Sequence, residues 1–344
     1  MRALRLGSWG GELVLEEGVP DPEAGPGEVL VKVLACGIGL TVLNCVRGDL
    51  GADPANLPRI PGHELVGVVT GCGAGVDRSR TGELVAAYFY LSCGHCPACY
   101  RGSHSLCESL GGYVGVDRDG GYAELVALPA ANALPLPPGI DAVEATVVPD
   151  AVATPVHVAG VGRVGAGQRV AVVAAGGGVG VHMVQVARLH GADVAGLEAS
   201  DEKLAFLESE LGVVAIDSSD FGRAQLPGPW RGGADVIIDF LGSRASLAWA
   251  LSSLDLGGRL VVVTTFPDVD VPLLPRDLVL RQRSVLGSRY CGKAELLEAA
   301  ALVRSGAVRP VIGERVSLAG VEAVHGQLRE GSLLGRGALV LDQR

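Results

Sequence analysis

One stretch constrains this chain more than any other. Residues 169–180 read R-V-A-V-V-A-A-G-G-G-V-G and run directly into V-H-M-V-Q-V-A-R-L-H-G. The first half is a short, β-branched apolar run, as expected for a strand buried on both faces. The second half carries Val181, Val184, Ala187 and Arg188 at helical spacing and stops at Gly191, a suitable helix C-cap. Between them lies a Gly-rich turn, Gly176, Gly177, Gly178, Val179 and Gly180. Such a turn lets backbone approach a pyrophosphate, whose charge the first N–H groups of the new helix then hold. The fingerprint departs from G-x-G-x-x-G at its first position, where Ala175 stands. A second strand, residues 192–197, follows and ends on Glu198. A carboxylate there suits the ribose 2′-OH of NAD and repels the 2′-phosphate of NADP, so NAD is expected over NADP.

From residue 167 onward strands and helices alternate, over 169–175, 178–190, 192–197, 201–211, 213–216, 235–240, 243–255 and 258–264. Alternation of this kind predicts βαβ units in a doubly wound parallel sheet. The part before it differs. Short strands such as 29–35, 65–69 and 83–90, separated by Gly/Pro turns, predict a largely antiparallel β domain. Asp141 is expected to cap a helix over 142–147. A helix over 294–305 and a last strand at 335–341 return the chain to the first domain.

Cys93, Cys96, Cys99 and Cys107 have the spacing C-x2-C-x2-C-x7-C. Four thiolates so spaced close a tetrahedron around one Zn2+ with no open position, which is a structural site. Thiolate pairs in redox C-x-x-C motifs and iron–sulfur clusters make a similar demand, but nothing else in the chain points to electron transfer. The remaining cysteines, Cys36, Cys45, Cys72 and Cys291, are scattered, and a disulfide framework is not expected.

Composition excludes several classes. A net charge of −10 gives no basic face for nucleic acid. No apolar run reaches the ~18 residues that span a membrane, and the N-terminus lacks a signal-peptide core. The expectation is a soluble cytoplasmic protein acting on a small molecule.

Taken together, residues 61–64 (P-G-H-E), the four-cysteine lobe, the Gly176–Gly180 turn, Glu198 followed by D-E-K-L at 201–204, the G-A-D-V-I-I-D of 233–239 and Gly335-Arg336 resemble the zinc-type alcohol dehydrogenases of the medium-chain dehydrogenase/reductase superfamily. The resemblance covers essentially the whole chain. It implies an α/β protein with a GroES-like β domain from residues 1–150 and 289–344, including a zinc lobe at about 91–109, and a Rossmann domain from 151–288. It implies interconversion of an alcohol and a carbonyl by hydride transfer, with a catalytic zinc as Lewis acid. By position it implies Thr41 as proton relay, Leu40 and Phe89 in the substrate pocket, and Thr154, Lys203 and Arg336 at the cofactor, Arg336 near the pyrophosphate. It implies a homodimer or homotetramer.

The chain departs from the family at the catalytic metal. The stretch 36–42 reads C-G-I-G-L-T-V, so Gly39 stands at the usual Cys ligand, Val42 at the usual Asp, and Asn44 at the relay His. The third ligand is Asp150. Candidate catalytic-zinc ligands are therefore His63, Glu64 and Asp150, with Cys36 or Cys45 as substitutes. Three functions remain open: an NAD-dependent alcohol dehydrogenase with a remodelled zinc site, a zinc-independent reductase of activated C=C bonds, and a non-catalytic nucleotide-binding protein.

Overall fold

The computed structural model describes residues 1–264, 269–271 and 273–342. It divides into two compact units, Met1–Ala153 with Cys291–Arg344, and Thr154–Tyr290.

The first unit is built on a seven-stranded sheet. Its centre is the long strand Glu28–Ile38, whose alternate residues Val29, Val31, Val33 and Ala35 are buried in the period-two pattern of a strand with one covered face. On one side lies Glu64–Cys72, antiparallel, with Gly37 opposite Glu64. On the other lies Arg336–Val340, also antiparallel, with Gly37 opposite Ala338. Two residues 272 positions apart in sequence, Glu64 and Arg336, are thereby set on either side of the same strand end. Immediately beyond that end Gly39 starts the short helix Leu40–Arg47.

The sequence expectation of a helix over 142–147 is not met. Residues Glu144–Val147 form a 3-10 turn, followed by a single wide turn, Val148–Val152. Pro149 has no N–H to donate, which favours an irregular ladder at this point. The Asp141 side chain does accept from the Val143 and Glu144 amides, as a cap should. The wide turn carries Asp150, which is 8% exposed.

The second unit is a six-stranded parallel sheet ordered Val214–Asp217, Asp193–Glu198, Arg169–Val173, Ala234–Asp239, Leu254–Val262, Ser284–Gly287. Numbered along the chain the order is 3-2-1-4-5-6, the doubly wound arrangement in which ligands bind beyond the C-terminal end of the first strand. Val170, Ala171, Val172 and Val173 are all completely buried, because helices cover both faces. Among the described residues no helix is long and apolar enough to cross a membrane.

Candidate functional site

In the second unit the turn after Arg169–Val173 has the geometry a pyrophosphate loop needs. Ala174, not a glycine, takes the left-handed conformation, with φ 58°. Gly180 permits the helix Gly180–Leu189 to approach the strand, since a Cβ there would lie 2.1 Å from the Ala174 carbonyl oxygen. Glu198 ends its strand and turns its carboxylate back: Oε2 accepts from the Gly176 amide at 2.8 Å. That places the acid beside the turn. Lys203 is buried and its Cβ abuts the Gly176 position. Thr154 is buried in the helix Ala153–Gly162.

In the first unit Cys93, Cys96, Cys99 and Cys107 converge, all four ligand atoms within 4.8 Å of one another. Cys93 and Cys99 Sγ are 4.0 Å apart and Cys96 and Cys107 Sγ 3.9 Å apart. Four thiolates ~2.3 Å from a tetrahedral Zn2+ stand about 3.8 Å apart, so the group fits the ion. None of the four is in a disulfide. Backbone N–H groups of Glu108 and Cys99 point at the Cys96 sulfur and pull its pKa down. His95 and His104 turn their Nδ1 atoms to backbone carbonyls, of Cys93 and Gly102, and are not needed as ligands.

His63, Glu64 and Asp150 form a second convergent group. All three are buried. His63 stacks on Phe89, ring centroids 4.4 Å apart, and neither of its nitrogens has a hydrogen bond among the described residues. Its Nε2 is 3.6 Å from Asp150 Oδ2. Among these groups sits the Arg336 side chain, 4% exposed. Nε donates to Glu64 Oε2 at 2.9 Å, and Nη2 lies 2.8 Å from both Glu64 Oε1 and Asp150 Oδ2. These contacts with the two carboxylates run through Nε and Nη2. Burial works against the guanidinium charge, but Glu64 and Asp150 more than offset it and raise its pKa further. Burial pushes the Glu64 carboxyl up, with Arg336 pulling against it.

Two glycines make this arrangement possible. A Cβ on Gly37 would meet Glu64 Oε2 at 2.5 Å, and one on Gly39 would meet Arg336 Cζ, Nη1 and Nη2 at 2.2, 2.3 and 2.5 Å. Gly39 has φ −140° and ψ 174°, extended backbone open to any residue. It is needed for space, not for conformation. The guanidinium thus fills the place where a ligand side chain from position 39 would begin, and it holds both carboxylates of the group. A catalytic Zn2+ needs three protein ligands and an open position. Three donors converge, but both carboxylates are paired to a resident cation, so the group as arranged here does not fit the ion. Cys36 and Cys45 add no further donor. Both are buried, burial pushes both thiols up, and neither belongs to the convergent group.

The sequence reading of Arg336 as a pyrophosphate contact gave no hint of this role, since its partners lie 272 and 186 residues away. Asn44 accepts from Arg47, which also pairs with Asp49. Thr41 lies in the first turn of the same helix, half-buried, and Leu40 beside it is 41% exposed.

Comparison with known proteins agrees with this architecture. Residues 25–138 match the alcohol dehydrogenase GroES-like domain, and residues 178–305 match the zinc-binding dehydrogenase domain. An alcohol dehydrogenase of Geobacillus stearothermophilus is 33% identical over 329 residues, 94% of this chain and 95% of that protein. An acryloyl-coenzyme A reductase of Sulfurisphaera tokodaii is 28% identical over 326 residues, 94% of each. The cobalt- and zinc-bound thermostable alcohol dehydrogenase of Pyrobaculum aerophilum superposes with a TM-score of 0.88 at 31% identity, covering 99% of both chains. With a GroES-like domain, a doubly wound nucleotide-binding domain and a four-cysteine lobe in one chain, this protein is an oxidoreductase that belongs to the zinc-type alcohol dehydrogenase family of the medium-chain dehydrogenase/reductase superfamily.

Proposed function

We propose that this chain is an NADH-dependent reductase of a polarised C=C bond, such as an enone or an enoyl thioester. The observation that carries the reading is the Arg336 guanidinium seated against Gly39 and paired with Glu64 and Asp150. An alcohol gives up hydride readily only once its proton is gone, and in this family a metal ion lowers that pKa. A conjugated acceptor takes hydride at the β carbon and needs only a donor for the oxygen that becomes negative.

The cofactor residues support NAD. The Gly176–Gly180 turn and the Glu198 carboxylate would hold the pyrophosphate and the ribose hydroxyls, and Glu198 disfavours a 2′-phosphate. Bound NADH supplies the hydride. Arg336 Nη1 donates to the substrate oxygen as negative charge gathers there. Thr41 passes its hydroxyl proton to the α carbon, which completes the saturated product, and takes a proton from solvent in its place. Phe89, Leu40 and Leu43 give an apolar lining. An acryloyl-coenzyme A reductase among the relatives performs a reaction of this class by its name.

The test is NADH oxidation with 2-cyclohexen-1-one and crotonyl-coenzyme A, set against NAD reduction with cyclohexanol and 2-butanol. Turnover of the alkenes alone supports the reading; turnover of the alcohols alone refutes it.

Alcohol–carbonyl interconversion is the second reading. The unpaired His63 nitrogens beside Asp150, an arrangement suited to a ligand, favour it. It requires Arg336 to leave Asp150. The reading as a binding protein without catalysis has no observation of its own in its favour. Assembly as a homodimer or homotetramer and a cytoplasmic location remain part of the proposal, carried by the family resemblance.

A further inference from the structure

The convergence of His63, Glu64 and Asp150 ordinarily signals a metal site, yet a fixed cation already stands within it. We propose that the Arg336 guanidinium is the resident cation of this centre, admitted by Gly39, and that it keeps a divalent ion away from His63, Glu64 and Asp150.

An ion bound by Asp150 Oδ2 and His63 Nε2 would sit ~2.1 Å from each. The same Oδ2 is the acceptor of Arg336 Nη2 at 2.8 Å, so the ion and the guanidinium would crowd one carboxylate oxygen. Glu64 offers no escape, because both its oxygens are taken by Nε and Nη2 of the same side chain. Two cations so placed repel each other, and the site is too buried for water to screen them. Arg suits the role better than Lys would. Its planar fork spans two carboxylates at once and stays charged when buried.

Gly39 is the permissive residue. Any side chain at position 39 begins inside the guanidinium, within 2.5 Å of Cζ and both Nη atoms. The loss of a ligand and the entry of the arginine are therefore one structural event. Glycine removes the donor and opens the volume that the replacement cation fills.

Metal content tests this without reference to turnover. Full-length protein is incubated with a tenfold excess of ZnCl2 and desalted, and zinc per chain is measured by inductively coupled plasma mass spectrometry. The wild type should hold one zinc per chain, in the four-cysteine lobe. Arg336→Gln should hold two, since it removes the competing positive charge beside Glu64 and Asp150. Gly39→Cys should also hold two, because its Cβ evicts the guanidinium and its thiolate adds a donor. The second variant serves where Arg336→Gln fails to fold. Two zinc ions in the wild type overturn the proposal, and so does a folded variant that still holds one. The count is independent of which bond is reduced, so the substrate reading can fail while this stands, and the reverse.

Discussion

Replacing Gly39 by Ala adds one methyl group and isolates the demand for space. The backbone there is extended, so alanine incurs no conformational strain. Its Cβ would nevertheless lie 2.2 Å from Arg336 Cζ, far inside van der Waals contact. Helix and strand fix the backbone on both sides of position 39, so the guanidinium must move. In moving it loses Nη2 contacts to Glu64 and Asp150 that are each 2.8 Å long. A hydrogen bond between charged groups contributes about 1.5–3 kcal/mol, and breaking a buried pair costs about 3–5 kcal/mol because charge is left unpaired. Partial relaxation of the long arginine side chain argues for the lower end, about 3 kcal/mol. At roughly 2–4 °C per kcal/mol for a unit of this size, the first unit should unfold about 6–12 °C lower. Differential scanning calorimetry measures this directly. Gly7→Ala is the control, since no atom lies within 4 Å of its added Cβ and its change should stay within about 0.5 kcal/mol. A Gly39→Ala midpoint within 1 °C or so of the wild type would show that Arg336 does not depend on Gly39, and the account of the site would fall with it.

Other consequences are equally measurable. Cys93→Ser should release the structural zinc, seen with a colorimetric chelator, and leave the loop 93–107 open to protease, since zinc binding by such sites is worth on the order of 10 kcal/mol. Glu198→Ala should raise the KM for NADH about 10–100-fold, the value of one or two hydrogen bonds to a charged group, and narrow the preference over NADPH; an unchanged ratio of the two kcat/KM values would remove Glu198 from cofactor recognition. Thr41→Val should lower kcat by about 10²–10⁴ with little change in KM if its hydroxyl carries the proton, and an intact kcat would exclude that role. The second unit has a pH-dependent tie: Arg169 pairs with Asp235 and Asp255 at 2.7 Å each and pulls both carboxyls below their usual range. A depressed carboxylate stabilises the fold above its unfolded pKa, near 3.9, and loses that contribution as pH falls through the folded value. Urea unfolding should therefore show Arg169→Gln less stable than wild type at pH 7, by about 1 kcal/mol because the cluster is partly exposed, with the two curves converging as the pH falls through the depressed carboxylates. A gap that persists in acid would mean that the loss is one of packing, not charge.

Local chemistry was legible in the sequence, and long-range chemistry was not. The cysteine lobe could be read because its four ligands lie within 15 residues and their spacing alone sets the geometry. The doubly wound sheet could be read because burial on both faces writes continuous apolar runs. The turn after residue 173 was found despite its irregular fingerprint, although nothing marked Ala174 as the residue that adopts positive φ. The irregular turn Val148–Val152 was missed because the apolar pattern of 142–147 suits a helix, and Pro149 acts on the residues that follow. At the site, Gly39 could be read only as a missing ligand. Its other meaning, room for a guanidinium, depends on a strand pairing that closes at residue 338, and no local pattern announces that.

That pairing also explains how this fold accommodates glycine at position 39. In a buried centre with two carboxylates, removing a positive charge leaves an uncompensated cluster that the fold cannot solvate. An arginine one strand away, already within reach of Glu64, needs only the volume of one side chain to reach Asp150 as well. Glycine at position 39 provides that volume on a backbone that was extended in any case. The centre then keeps a cation among its acids, and what changes is the chemistry on offer. A metal ion binds oxygen and acidifies an alcohol. A guanidinium stays protonated and can only donate hydrogen bonds. It therefore stabilises a negative oxygen by hydrogen bonds alone, without the direct bond through which a metal ion acidifies an alcohol. Hydride addition to a conjugated acceptor produces such an oxygen, whereas alcohol oxidation must begin by removing a proton from one. On the proposed reading, reduction of a conjugated acceptor should outrun alcohol oxidation by a margin that added zinc does not change.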